Sequence, residues 1–314
     1  MPRKADVRAL REHLPSRYAP FRRRAEPPHR IGLVDVETHR AEHRVGEIIA
    51  CANQKGGVGK TTTVINVAAY LAAAGQRVLV VDLDPQGNAT SGLGIDRDSV
   101  EGSSYELLVG DTPAAELAVG SEVVGLHVLP SGRTLAGVEV ELVGLEGRER
   151  RLQRALRTEV DRYDHILLDC PPSLGLITVN ALTAADSVLI PMQCEYYALE
   201  GLFQLMSTIA LIRDNLNPDL RVKGVLLTMF DGRTTLSADV SAEVRRHLNG
   251  QVFDAVVPRS VRLAEAPSYG KPITLYSPGS RGARAYQRLA QEFLSREGQG
   301  SRQSLTSAAG TSAP

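Results

Sequence analysis

Residues 53–63 of this 314-residue chain read NQKGGVGKTTT, and no other stretch limits its possible folds so strongly. The preceding run, Glu47–Ala52, is apolar and strand-like. The following run, Val64–Ala74, is apolar at helical spacing and stops at Gly75. Strand, glycine turn, Lys-Thr and helix in that order form the arrangement of a phosphate-binding loop. The chemistry needs these residue types. Gly56, Gly57 and Gly59, with Val58 among them, let the backbone take positive φ and carry N–H groups up to phosphate oxygens. The helix N-terminus adds partial positive charge. Lys60 neutralises β- and γ-phosphates, and the Thr61 hydroxyl suits Mg²⁺. The plainer reading, a flexible exposed turn, leaves the flanking strand and helix unaccounted for. One departure stands out. The usual G-x-x-x-x-G-K-[ST] spacing would place a glycine at position 54, which is Gln54, and a second lysine, Lys55, stands just before the glycines.

Downstream, strand-like and helix-like segments alternate. The pattern predicts strands over 77–83, 126–130, 164–170, 186–192, 223–229 and 252–257. It predicts helices over 104–109, 139–160, 174–184, 198–214, 236–248 and 281–296, with a switch-like loop at 84–98. Such alternation implies an α/β fold, a doubly wound and mostly parallel sheet with helices on both faces. Ligand then binds beyond the strand C-termini, where Gly57–Thr62, Asp84 and Asp169 all fall. The body is expected over 45–296. Residues 1–44 carry 11 Lys/Arg against 6 Asp/Glu, with prolines and the Arg22–Arg24 cluster. They read as a basic, disordered arm or as a stretch that is not translated, since Val45 sits where a start codon could lie. Residues 297–314 are small and polar and read as a disordered tail.

Composition excludes some classes. No apolar run reaches membrane-spanning length. The three cysteines, Cys51, Cys170 and Cys194, have neither metal nor disulfide spacing and fit a reducing cytoplasm. Formal net charge is zero, so any DNA site on the body must be a local patch.

Two further motifs extend the reading. RVLVVDL (Arg77–Leu83) runs into DPQGN, which places Asp82 and Asp84 at a strand end; HILLDCPP (His165–Pro172) ends a strand on Asp169. Asp169 stands as a carboxylate orienting Mg²⁺, or else as a turn or cap residue. With KGGVGKTTT these motifs resemble the ParA/MinD group of P-loop ATPases, whose loop carries an extra lysine. The words NQKGGVGKTT, DLDPQGNATSGLG, LLDCPPS, EYYALEG, MFDGRT and PRSVRLAEAPSYGKP are similar to chromosomal-type ParA (Soj) proteins, and they run in order across the body.

That resemblance implies a partitioning ATPase for a chromosome or plasmid that uses ATP and Mg²⁺. Lys60 and the loop 56–62 hold the phosphates, Thr62 at the α-phosphate. Thr61, Asp82 and Asp169 surround the Mg²⁺, and Asp84 orients the attacking water. Lys55 reaches across a homodimer to the partner's ATP, where two facing triphosphates need neutralising. Met229 and Pro258 lie by the adenine. Arg233 and Arg262 contact DNA without reading its sequence. A ParB-type partner stimulates hydrolysis, and the protein is cytoplasmic and nucleoid-associated. The alternative is a MinD-like division-site regulator, which needs an amphipathic C-terminal helix; residues 297–314 offer only Leu305 for its apolar face. A reductase resembling the nitrogenase iron protein would need cluster-bridging cysteines, and the DPQGN and PRSVRLAEAPS words argue against it.

Overall fold

The computed structural model describes residues 46–309 except 111, 196, 197 and 249, with side chains through Arg296. The chain divides at Arg40/Ala41 into two units, and the first lies wholly outside the described residues, as does the rest of the expected arm.

Eight strands form one sheet. They are β1 (Glu47–Cys51), β2 (Val78–Asp82), β3 (Val119–Gly120), β4 (Leu126–Leu129), β5 (His165–Asp169), β6 (Ser187–Gln193), β7 (Arg221–Phe230) and β8 (Val252–Pro258). Their spatial order is β3-β4-β2-β5-β1-β6-β7-β8, parallel throughout except where β3 pairs antiparallel with β4 at one edge. The helices are α1 (Lys60–Ala73), α2 (Asn88–Gly92), α3 (Ser104–Val109), α4 (Ala114–Leu117), α5 (Val138–Val143), α6 (Arg151–Leu156), α7 (Leu176–Ala184), α8 (Ala198–Asn215), α9 (Thr235–His247), α10 (Val261–Glu265), α11 (Ile273–Tyr276) and α12 (Arg281–Ala309). The fold is the doubly wound α/β sheet expected.

The strands read as unbroken apolar runs because both faces are covered. Alternate residues feed two cores. Ile48, Ala50, Leu79, Val81, Ile166 and Leu168 pack with α3 and α5–α8. Ile49, Cys51, Val78, Val80 and Leu167 pack with α1 and α12 on the other side, around Tyr286 and Phe293.

Several elements differ from expectation. The helix expected over 139–160 is broken into α5, a 3₁₀ turn at Arg148–Arg150, and α6. Gly144 caps α5, and Gly147 takes φ +62, so its lack of a Cβ ends the helix its charged neighbours favour. The two-residue β3 is too short to leave a periodic signal. The 84–98 loop contains α2. The stretch after β8 folds into α10, a 3₁₀ turn at Ala266–Tyr269, and α11, each too short for periodicity to show. The closing helix continues past 296 to Ala309; the expected tail at 297–314 falls on side chains outside those described.

Candidate nucleotide site

The C-terminal ends of β1, β2 and β5 are in register. Cys51 pairs with Asp169, and Asp169 pairs with Asp82 on its other side. The P-loop, the Asp82–Asp84 segment and Asp169 are thereby delivered to one edge of the sheet, as the motif order implied. Parallel pairing makes this possible, since every strand then ends on the same side.

The loop from Ala52 turns into α1 through Gly59, at φ +89, with no side-chain cap and no acidic residue in the first turn. The first-turn N–H groups are therefore left to a ligand. Gly57 takes φ +75, and a Cβ at Gly56 or Gly57 would meet nothing within 4 Å. The glycines are thus kept by backbone conformation and by open space of the kind a phosphate fills, not by packing. Two bonds brace the loop from behind: Thr228 Oγ1 donates to Val58 O at 2.8 Å, and Asn53 Nδ2 to Pro191 O at 2.8 Å.

Lys60 is only 6% exposed, and its ammonium donates to the carbonyl oxygen of Lys55 at 3.3 Å. Lys55 itself is half-exposed and ion-paired with Glu195 of the same chain.

Asp169 is fully buried, and neither carboxylate oxygen has a hydrogen-bond partner. Burial, then the neighbouring Asp82, pushes its pKa well up; the Thr61 hydroxyl beside it pulls the other way without reaching hydrogen-bond geometry. Asp82 is pushed up to about 6 by burial, against three donors that lower it. Those donors are Thr90 Oγ1 at 2.6 Å and Thr90 N at 2.8 Å, both to Oδ2, and Asp84 N at 3.2 Å to Oδ1. Asp82 therefore ties the following loop to β2. Asp84 is 8% exposed, and its Oδ1 accepts from Gln86 N at 2.9 Å. Two buried carboxylates raised in pKa, one wholly unpartnered, fit a site completed by a cation: Asp169 and the Thr61 hydroxyl are the groups left to hold Mg²⁺. Among the described residues no cluster of three or more His, Cys, Asp or Glu forms a metal centre by itself.

Beside the loop lies a cavity of ≈ 200 Å³ lined by Gly59, Thr62, Met229, Pro258, Leu263 and Tyr286, among others. Met229 is the only non-glycine residue at positive φ among those described, at +49. The residues expected by the adenine are thus brought against the P-loop.

Arg233, in the turn after β7, is 90% exposed and forms a two-pronged pair with Asp231, at 2.9 and 2.7 Å. Arg262, on α10, donates to Glu265 at 3.0 Å. Both expected DNA-contacting arginines are engaged within the chain. Sequence reading missed these carboxylates, and also Glu195, Thr90, Ser131 and Arg97. EYYALEG contains Glu195 and DPQGNATSGLG contains Thr90, whereas Ser131 and Arg97 lie outside both words; only the contacts show what the four do.

The AAA_31 family, an AAA domain, matches residues 46–222. The chromosome partitioning protein ParA of Myxococcus xanthus is 56% identical over 253 residues, covering 81% of this chain and 89% of that protein. The sporulation initiation inhibitor protein Soj of Bacillus subtilis is 56% identical over 248 residues, covering 79% and 98%. Among solved structures, a cobyrinic acid a,c-diamide synthase from Mycobacterium smegmatis with bound ADP and magnesium superposes with a TM-score of 0.72 at 40% identity, covering 81% of this chain and 96% of that one. The cell division ATPase MinD of Pyrococcus furiosus does so with a TM-score of 0.67 at 26% identity, covering 80% and 99%.

Proposed function

The chain belongs to the ParA/Soj family of chromosome-partitioning ATPases, and we propose that it works as an ATP-gated DNA-binding switch. The observation that carries this reading is the convergence of Lys60, Asp84 and Asp169 on one sheet edge, with the Asp169 carboxylate buried and unpartnered. The M. smegmatis neighbour named as a synthase is 40% identical, whereas partition proteins reach 56%; the synthase activity is not carried over.

Lys60 and the N–H groups of 56–62 hold the triphosphate of ATP. Thr61 and Asp169 would hold Mg²⁺, with Asp82 behind them fixing the loop, and the ion would supply countercharge to the phosphates. Asp84 orients the attacking water. Met229 and Pro258 flank the base. Lys55 turns from Glu195 to the ATP of a second copy, making dimerisation depend on nucleotide. Breaking an exposed pair of this kind costs only about 0–1 kcal/mol, far less than facing triphosphates would repel each other without it. In the dimer, Arg233 and Arg262 exchange Asp231 and Glu265 for DNA phosphates. DNA binding puts the ATP form on the nucleoid, and a ParB-type partner stimulates hydrolysis and release. No helix among the described residues is long and apolar enough to cross a membrane.

The test is co-sedimentation with DNA under ATP, ADP or no nucleotide, with and without the N-terminal peptide of a ParB-type partner. Retention with ATP alone, lost when the peptide is added, is the expected result. Equal retention under all three nucleotide conditions would sink the reading.

A further inference from the structure

Arg97 sits outside the motifs above, yet it holds the backbone that follows Asp84. Its Nη2 donates to Pro85 O at 2.8 Å, its Nη1 to Gln86 O at 2.6 Å, and its Nε to Ser131 O at 3.1 Å. Ser131 Oγ in turn donates to Asp84 O at 2.7 Å, as does Gly87 N at 2.8 Å. Three consecutive carbonyls, 84 to 86, are each gripped from outside the loop. The guanidinium also occupies the space a Cβ on Gly87 would need, which explains a glycine at that position beyond its φ of +65.

We propose that Arg97 is a positioning residue for ATP hydrolysis: it clamps the Pro85–Gln86 backbone so that the Asp84 carboxylate is held in its working orientation. This rests on the reading of Asp84 as the group that orients water. The physical reason is geometric. A planar fork can donate to three carbonyls in fixed directions; an ammonium cannot span them. Proline at 85 lacks an N–H and cannot anchor the loop itself, so the anchor is supplied from across the turn. Arg97 touches no position assigned to phosphate, so its loss should leave ATP affinity alone.

The experiment measures ATP turnover in the presence of DNA for the wild type, Arg97→Ala, Arg97→Lys and Asp84→Ala, with Tm for each. For Arg97→Ala a fall in kcat of about 10- to 100-fold is expected, the range for a displaced catalytic group, with KM for ATP within about twofold. Arg97→Lys should keep part of the rate. Millimolar guanidinium chloride should restore Arg97→Ala, and ammonium chloride at equal ionic strength should not. Wild-type kcat in Arg97→Ala overturns the proposal. So does a loss in which KM rises in parallel and guanidinium restores nothing, for that is a structural role. If Arg97→Ala does not fold, Arg97→Lys decides: a reduced kcat at unchanged KM supports the clamp, and a wild-type kcat overturns it. Asp84→Ala separates the two readings. If it hydrolyses ATP normally, the assignment of Asp84 falls and the clamp with it. If it is inactive while Arg97→Ala and Arg97→Lys are normal, only the clamp falls.

Discussion

At Lys60 a buried ammonium is held by one long bond to a carbonyl. Burying a charge with so little compensation is unfavourable until an anion arrives. Lys60→Ala should therefore abolish ATP binding, measured by calorimetry, while the Tm of the nucleotide-free protein stays at or above that of the wild type. Near-normal affinity would show that the loop amides suffice. Arg233 is a different case. Its guanidinium is already satisfied by Asp231, and that arginine holds the Asp231 carboxyl well below the usual range. DNA phosphate must compete with this carboxylate for the same fork. Asp231→Asn should thus strengthen DNA binding severalfold and leave ATP binding unchanged, read by fluorescence anisotropy at fixed salt. Weaker binding would mean that Asp231 orients Arg233 toward DNA instead of withholding it.

Short elements join the ATP-side loop to the arginine-bearing segment. After α2, Gly94 takes φ +82, and a Cβ there would stand 2.9 Å from the carbonyl oxygen of Gly270, itself at φ +62. The obstacle is backbone, so it cannot swing aside. Gly94→Ala combines left-handed strain with overpacking and should cost about 2–4 kcal/mol, a fall in Tm of roughly 4–8 °C. Gly57→Ala is the contrast: at φ +75 it carries the left-handed strain, but its Cβ meets nothing, so its Tm should fall less than that of Gly94→Ala while ATP affinity drops. Equal loss of Tm at both positions would contradict this division between packing glycines and ligand glycines. These elements also show what sequence can carry. The P-loop, β2, β5 and their carboxylates were legible because the chemistry demands particular residue types at strand ends, and because buried parallel strands are written as continuous apolar runs. The break at Gly144–Gly147 was not, since Leu142, Leu145, Leu152 and Leu156 keep helical spacing across it and imitate one long helix. Neither β3 nor α10 and α11 has enough residues for a period. Arg97, Glu195 and Asp231 were invisible for another reason. Their roles lie in contacts: Arg97 bonds 11 and 34 positions away, and Lys55 and Glu195 are 140 apart.

For the whole molecule the proposed switch raises the question of how a chain of zero net charge would bind DNA only when ATP is present. Lys55 is the first control. Because it is paired with Glu195 in the single chain, Lys55→Gln should bind ATP normally and yet elute as a monomer with ATP present; a dimer would show that the lysine acts within its own subunit. Charge placement is the second. Residues 255–296 hold seven Lys/Arg against Glu265 and Glu292, yet the structure engages several of these cations, Arg262 with Glu265 and Arg296 with Glu292. A single copy therefore offers only part of its basic set to DNA, and two copies on one surface offer twice as many cations within reach of the same duplex, so affinity rises far more than twofold. Arg233→Ala and Arg262→Ala should each weaken binding alike on unrelated DNA sequences and lower the dimer's slope of log affinity against log salt by about two, one for each copy. The competing source is the stretch 1–44 with Arg22–Arg24, which a chain beginning at Val45 removes. Should that chain lose DNA binding while the double arginine variant keeps it, the patch is not the DNA-binding element and the basic stretch is. If the two losses are reversed, ATP gates DNA by bringing two patches together, and the salt slope of the dimer should be about twice that of one copy.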